Sequence, residues 1–206
     1  MSRLYVETHF VVGYAKGQDV YFEGLLELNE RGIVEIVIPE VCIMEVAKSL
    51  EQERRNVEAI TQDLLRFYRE STRRVALPDS RATSEDIEKT GIRLREDLNE
   101  ITDRAYRCLK RLGAVGRMIP LDRHWLERIE PSRMVLEPPD DMILHAILAD
   151  VQRAPGKAAF LSGNTEDFDL PTVKRKLADS GVAYLRTGSA AIGWATNTSF
   201  LLEVAS

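Results

Sequence analysis

Ile33-Val34-Glu35-Ile36-Val37-Ile38 runs directly into Pro39-Glu40-Val41-Cys42-Ile43-Met44-Glu45-Val46. The first six residues are β-branched almost throughout, which fits a pleated, buried surface and makes this the clearest strand in the chain. Pro39 then suits a first helical position, because its missing N–H needs no partner there. Beyond it the apolar residues Ile43, Val46, Ala47 and Leu50 recur at helical spacing. A strand that passes straight into a helix is the unit from which layered α/β folds are built.

The same alternation extends in both directions. Upstream, Leu4-Tyr5-Val6 reads as a short buried strand ending near Glu7, followed by a turn into a short helix. Residues 18–31 read as a helix with Gly32 at its C-terminal end. Downstream, the helix opened by Pro39 is expected to run far into 51–74, until Leu77-Pro78-Asp79 breaks it. A second long helical pattern covers 84–112 and closes at Gly113. Together, about 51–113 read as a charged antiparallel helical pair. A short helix is expected from Asp122 to Ile129, and another amphipathic helix begins at Pro138-Pro139-Asp140-Asp141. Ala158-Ala159-Phe160-Leu161-Ser162 reads as a small-residue strand, 164–169 as polar loop, 171–179 as a helix and Val182-Ala183-Tyr184-Leu185 as a last core strand. The tail from Ala190 reads either way. The expected fold is α/β, with helices layered on a mainly parallel sheet and the whole of 1–206 forming one domain.

Composition narrows the class. The chain has 206 residues, 44% of them hydrophobic and 30% charged, which is ordinary for a soluble globular protein. Cys42 and Cys108 are too few for a disulfide framework or a cysteine-based zinc site. Both fall in helical stretches and read as buried reduced thiols, which fits a cytoplasmic protein. No apolar run is long enough for a membrane span. With 28 Lys and Arg against 33 Asp and Glu, the net charge is −5, which argues against coating nucleic acid by bulk charge.

In a parallel α/β sheet, ligands sit beyond the carboxyl ends of the strands. The polar residues expected there are Glu7, Thr8 and His9 after the first strand, and Glu40 and Glu45 after the second. Asp140 and Asp141 open a helix in the same half of the alternation, and Asn164, Glu166, Asp167 and Asp169 follow the Phe160-Leu161 strand. Carboxylates brought from separate segments to one edge repel each other unless a cation lies between them. Hard oxygen donors point to Mg²⁺ or Mn²⁺, and such an ion suits phosphodiester hydrolysis.

These segments resemble the motifs of PIN-like nuclease domains. Residues 4–12, Leu4-Tyr5-Val6-Glu7-Thr8-His9-Phe10-Val11-Val12, look like the family's opening strand. Residues 38–46 resemble its second acidic motif, Pro139-Asp140-Asp141-Met142-Ile143-Leu144-His145-Ala146 the third, and Phe160-Leu161-Ser162-Gly163-Asn164-Thr165-Glu166-Asp167-Phe168 the fourth. The order matches, and the resemblance reaches towards both ends of the chain. It implies a three-layer α/β/α sandwich carrying the long helical pair as an insertion, and Mg²⁺- or Mn²⁺-dependent cleavage of RNA. Residue by residue, it implies catalytic and metal-holding roles for Glu7, Glu45, Asp141 and Asp167. Asp140 is expected as the helix cap beside the ligand Asp141. Asn164, His9 and Thr8 stand in a second tier, with His9 where the family commonly has Asn and Glu7 where it usually has Asp. RNA is the expected partner, with an antitoxin protein or a second copy of the chain as further partners the family admits, and no membrane.

Arg104, Arg107 and Arg111 repeat at three and four residues and form a stripe that could bind phosphates. The competing expectation is a salt-bridged solvated face, because the same helices are rich in Asp and Glu. Two other function classes compete with a nuclease. One is a PIN-like module that binds RNA or protein without cutting. The other is a phosphatase, disfavoured because Glu7-Thr8-His9 lacks an Asp-x-Asp nucleophile. No glycine-rich phosphate loop is present.

Overall fold

The computed structural model of the protein describes residues 1–74, 80–121 and 136–197. The short helix expected at Asp122–Ile129, the break at Leu77-Pro78-Asp79 and the end of the tail lie outside the described residues. Elements follow in the order β1 (Ser2–Val6), α1 (Thr8–Lys16), α2 (Tyr21–Glu30), β2 (Val34–Pro39), α3 (Glu40–Arg74), α4 (Ser80–Val115), β3 (Arg117–Ile119), α5 (Asp140–Arg153), β4 (Ala158–Leu161), α6 (Thr165–Phe168), α7 (Pro171–Asp179), β5 (Val182–Leu185) and α8 (Gly188–Thr196). The chain divides into two compact units, Met1–Val46 with Ala105–Ser206 and Ala47–Arg104.

In the first unit, five parallel strands pair in the order β3-β2-β1-β4-β5. Strands of an all-parallel sheet are covered on both faces, so their side chains must be apolar in both directions. Leu4, Tyr5, Val6, Ile36, Val37 and all of Ala158–Leu161 are accordingly buried. The strand order reverses between β1 and β4. Crossovers of a single hand then place the helices preceding and following that switch on opposite faces, which yields the α/β/α layering. α8 packs on α2 and on β1, β4 and β5. The described start of the tail is therefore helical, within Gly188–Thr196, where sequence left it open.

A buried polar network ties β1, β2 and β3 to α5. The Tyr5 hydroxyl donates to Asp150 at 2.6 Å, and the Arg117 guanidinium places two donors on the same carboxylate at 2.8 and 2.7 Å. Arg3 pairs with Asp150 at 3.6 Å and donates to the Ala154 carbonyl. Burial pushes the Asp150 carboxyl up, but the bonds from Arg117 and Tyr5 outweigh it and hold the group below its ordinary range.

Several boundaries differ from expectation. Pro39 ends β2 instead of opening α3, because a residue without N–H fits the end of a strand as well as the start of a helix. Glu40 takes the first helical position, and its carboxylate accepts from the Leu121 N–H at 2.9 Å. Gly113 does not close α4, which continues to Val115. The stop is at Gly116, where a Cβ would stand 2.7 Å from the Leu112 carbonyl oxygen and 3.0 Å from that of Ile36. β3 was missed, being only three residues long. Residues 165–168 form a helical turn within what read as loop.

The second unit is the middle of the long α3–α4 pair. Its described ion pairs lie within single helices: Arg54 and Arg55 with Glu51, Arg66 with Asp63, and Lys89 with Asp86. An apolar groove lined by Ile60, Leu64, Ile87 and Leu94 runs along it.

Candidate active site

The C-terminal ends of β1 and β4 and the starts of α3 and α5 bring four acids into one electrostatic cluster. Glu7 follows β1 and caps α1. Its Oε2 accepts from the His9 N–H at 2.5 Å, and its Oε1 accepts from the Ser162 hydroxyl at 3.0 Å. The side chain is buried, with 4% of the residue exposed. Burial, reinforced by the charges of Asp140 and Glu45, pushes its carboxyl up to about 7 despite those two bonds.

Glu45 lies on the second turn of α3, and its Oε2 accepts from the Thr8 hydroxyl at 2.6 Å. Asp140 is the first residue of α5. Burial raises its carboxyl to about 6, and the charges of Asp167 and Glu45 add to the effect. Asp167 raises the Asp140 carboxyl both by its charge and as a side-chain hydrogen-bond partner that favours the protonated form. Asp167 also accepts from the Asn164 side-chain amide at 2.8 Å.

The structure does not give Asp140 the expected cap role. Asp140 does not cap α5: the cap position is Pro139, with no side-chain bond. Asp140 instead stands among the acids. The Asp141 carboxylate is buried, accepting from the Leu136 N–H at 3.2 Å and pairing with His145 Nδ1 at 3.0 Å. Consecutive helical residues point about 100° apart, so only one of an adjacent pair can face the sheet edge.

Thr8 and Asn164 each hold one acid, Glu45 and Asp167 respectively. His9 does not face the acids. Its ring lies edge-on to Phe22, with centroids 6.0 Å apart, and fills the space beside Gly163. Burial lowers its pKa. Ser162 was missed. Its hydroxyl donates to Glu7 while accepting from the Asn164 N–H at 3.0 Å, and its carbonyl accepts from the Tyr184 hydroxyl at 3.3 Å. A hydroxyl directly after a buried strand, before a glycine, was the available signal.

The arginines of the expected stripe have different surroundings. Arg111 is committed to Glu30 at 2.6 Å and Glu23 at 2.7 Å, both on α2. Arg107 is exposed, and Arg104 belongs to the second compact unit.

Glu7, Glu45 and Asp167 each accept from a neutral donor of the chain. Among the described residues, no three His, Cys, Asp or Glu side chains are drawn together closely enough to hold a metal ion. The donor chemistry nevertheless fits a hard divalent ion: all oxygen, acidic, mutually repelling and braced by neutral hydrogen-bond donors.

Comparison with known proteins returns one family. The family described as PIN domain matches residues 4–168, a span that runs from β1 through α6 and includes all four acids. No curated protein and no solved structure matches the chain.

Proposed function

The chain belongs to the PIN domain family, and on that premise we propose that it is a Mg²⁺- or Mn²⁺-dependent ribonuclease in which Glu7, Glu45, Asp140 and Asp167 hold the ion. The observation that carries the reading is the gathering of these acids at the end of the sheet, where burial chiefly, and neighbouring acids secondarily, raise Glu7 to about 7 and Asp140 to about 6. Carboxylates gathered from four separate segments at the topological switch of a parallel sheet are unfavourable in isolation and favourable around a cation. When bound, the ion supplies an acidified water and neutralises charge on the phosphate.

The residues of the chain set the geometry. The His9 N–H and the Ser162 hydroxyl orient Glu7, the Thr8 hydroxyl orients Glu45, and the Asn164 amide orients Asp167. Loading the site requires Glu7 and Asp140, both raised, to be ionised, so affinity for the ion rises with pH. RNA as substrate is what the family resemblance supports.

The test is cleavage of a labelled RNA, with a DNA of the same sequence as control, with and without Mn²⁺. Glu45→Gln and Asp140→Asn are expected to lower the rate at least about 100-fold while circular dichroism stays unchanged. Undiminished cleavage in both variants overturns the assignment.

A second reading is a PIN-like module that binds without cutting. It is favoured by one feature: both Glu7 oxygens are already satisfied within the protein. Calorimetry separates the two. No heat of Mn²⁺ binding up to several millimolar supports the binding module.

A further inference from the structure

We propose that His9 is a positioning residue whose ring, seated against Gly163, locks the Ser162-Gly163-Asn164 turn and so holds Glu7 and Asp167 in register. The inference rests on the reading of these acids as the functional site. It differs from that reading in assigning a role to the pair His9 and Gly163, which carry none of the acid chemistry themselves.

The geometry is specific. A Cβ built on Gly163 would lie 2.4 Å from His9 Nε2, 2.6 Å from Cδ2 and 3.0 Å from Cε1. The imidazole therefore occupies the volume that any side chain at 163 would need. It packs against Phe22, itself almost wholly buried, and the backbone N–H of His9, not the ring, donates to the Glu7 carboxylate. The positive φ that would demand glycine on backbone grounds is not found at Gly163. Its lack of a side chain serves the ring.

The turn pinned by the ring carries two contacts to the acids. On one side of Gly163, the Ser162 hydroxyl donates to Glu7. On the other, the Asn164 amide donates to Asp167 and its backbone N–H donates back to Ser162 Oγ. A shift of this turn by a few tenths of an ångström moves partners of both acids at once. Groups that orient ligands in this way are worth ~10–100-fold in metal affinity.

A double-mutant cycle tests the pairing. Gly163→Ala, His9→Ala and the double variant are compared with the wild type by two readouts. The first is amide hydrogen exchange of residues 9 and 164 in metal-free protein, which reports the Glu7 cap and the Ser162 bond without any ion. Gly163→Ala is expected to speed exchange at both sites about 10-fold or more, and the double variant to return towards His9→Ala alone. The second is Mn²⁺ affinity by calorimetry, expected to fall ~10-fold in Gly163→Ala and to recover in the double variant. Independent, additive effects in the exchange cycle, or no effect of Gly163→Ala there, overturn the proposal. A wild type that binds no Mn²⁺ overturns the metal reading instead, and the exchange cycle still decides the role of His9.

Discussion

Replacing Glu7 by Gln removes the most strongly displaced acid in the candidate site and makes a prediction with a definite sign. The Glu7 carboxyl titrates near 4.5 when unfolded and near 7 in the folded protein, chiefly because burial disfavours its charge. Between those values the folded state holds a proton that the unfolded state has lost. Stability therefore declines as pH rises through that window, and the contribution of the protonated group, full below about pH 4.5, is gone above about pH 7. At about 1.4 kcal/mol per pH unit, the window is worth about 3 kcal/mol as an upper bound. Asp140 contributes in the same direction, and because the two acids interact, the titration belongs to the cluster. The assay is urea unfolding of metal-free wild type and Glu7→Gln from pH 4.5 to 8.5. The variant is expected to lose less stability than the wild type across the window, so that at pH 8 it is the more stable of the two. Saturating Mn²⁺ is expected to flatten the wild-type pH dependence, since the cation replaces the proton. A stability difference that stays constant with pH, or that grows in favour of the wild type above pH 7, refutes the placement of a protonated acid at this site.

Two further outcomes separate site from scaffold. Asp141→Asn should cost about 1–2 kcal/mol in urea unfolding, through the contacts to His145 and the Leu136 N–H, while Mn²⁺ affinity changes less than about threefold. Asp150→Ala leaves Arg3 and Tyr5 without their buried acceptor, and a loss of about 3 kcal/mol in unfolding free energy is expected.

Hydrophobic patterning carried most of the fold. Four of the five strands were legible because each is a short, largely apolar run of the kind a two-sided parallel sheet buries. The long helical pair was legible from its period and its charges. β3 was not, because three residues beside a proline carry too little pattern to separate strand from turn. The ends of α3 and α4 were misplaced for a related reason. Proline and glycine mark a break without saying which element claims them, and the close approach of the Leu112 and Ile36 carbonyls leaves room only for glycine at 116.

The candidate site divides along the same line. Sequence by itself determined the residue types and their order, with Glu7, Glu45, the Asp140-Asp141 pair and Asp167 each following or opening an element of one parallel sheet. Periodicity and the rule that strands of a parallel sheet end at a common edge gave the candidate acids, and the resemblance to PIN-like motifs singled out Glu45 over Glu40 and Asp167 over its neighbours. The tertiary structure decided which of two adjacent aspartates joins the cluster, because helix phase turns Asp140 towards Asp167 and Asp141 towards His145. It also decided that Ser162 serves Glu7 from 155 residues away and that Arg111 is spent on α2. Side-chain direction and partnership depend on packing between segments distant in the chain, and no local pattern encodes them.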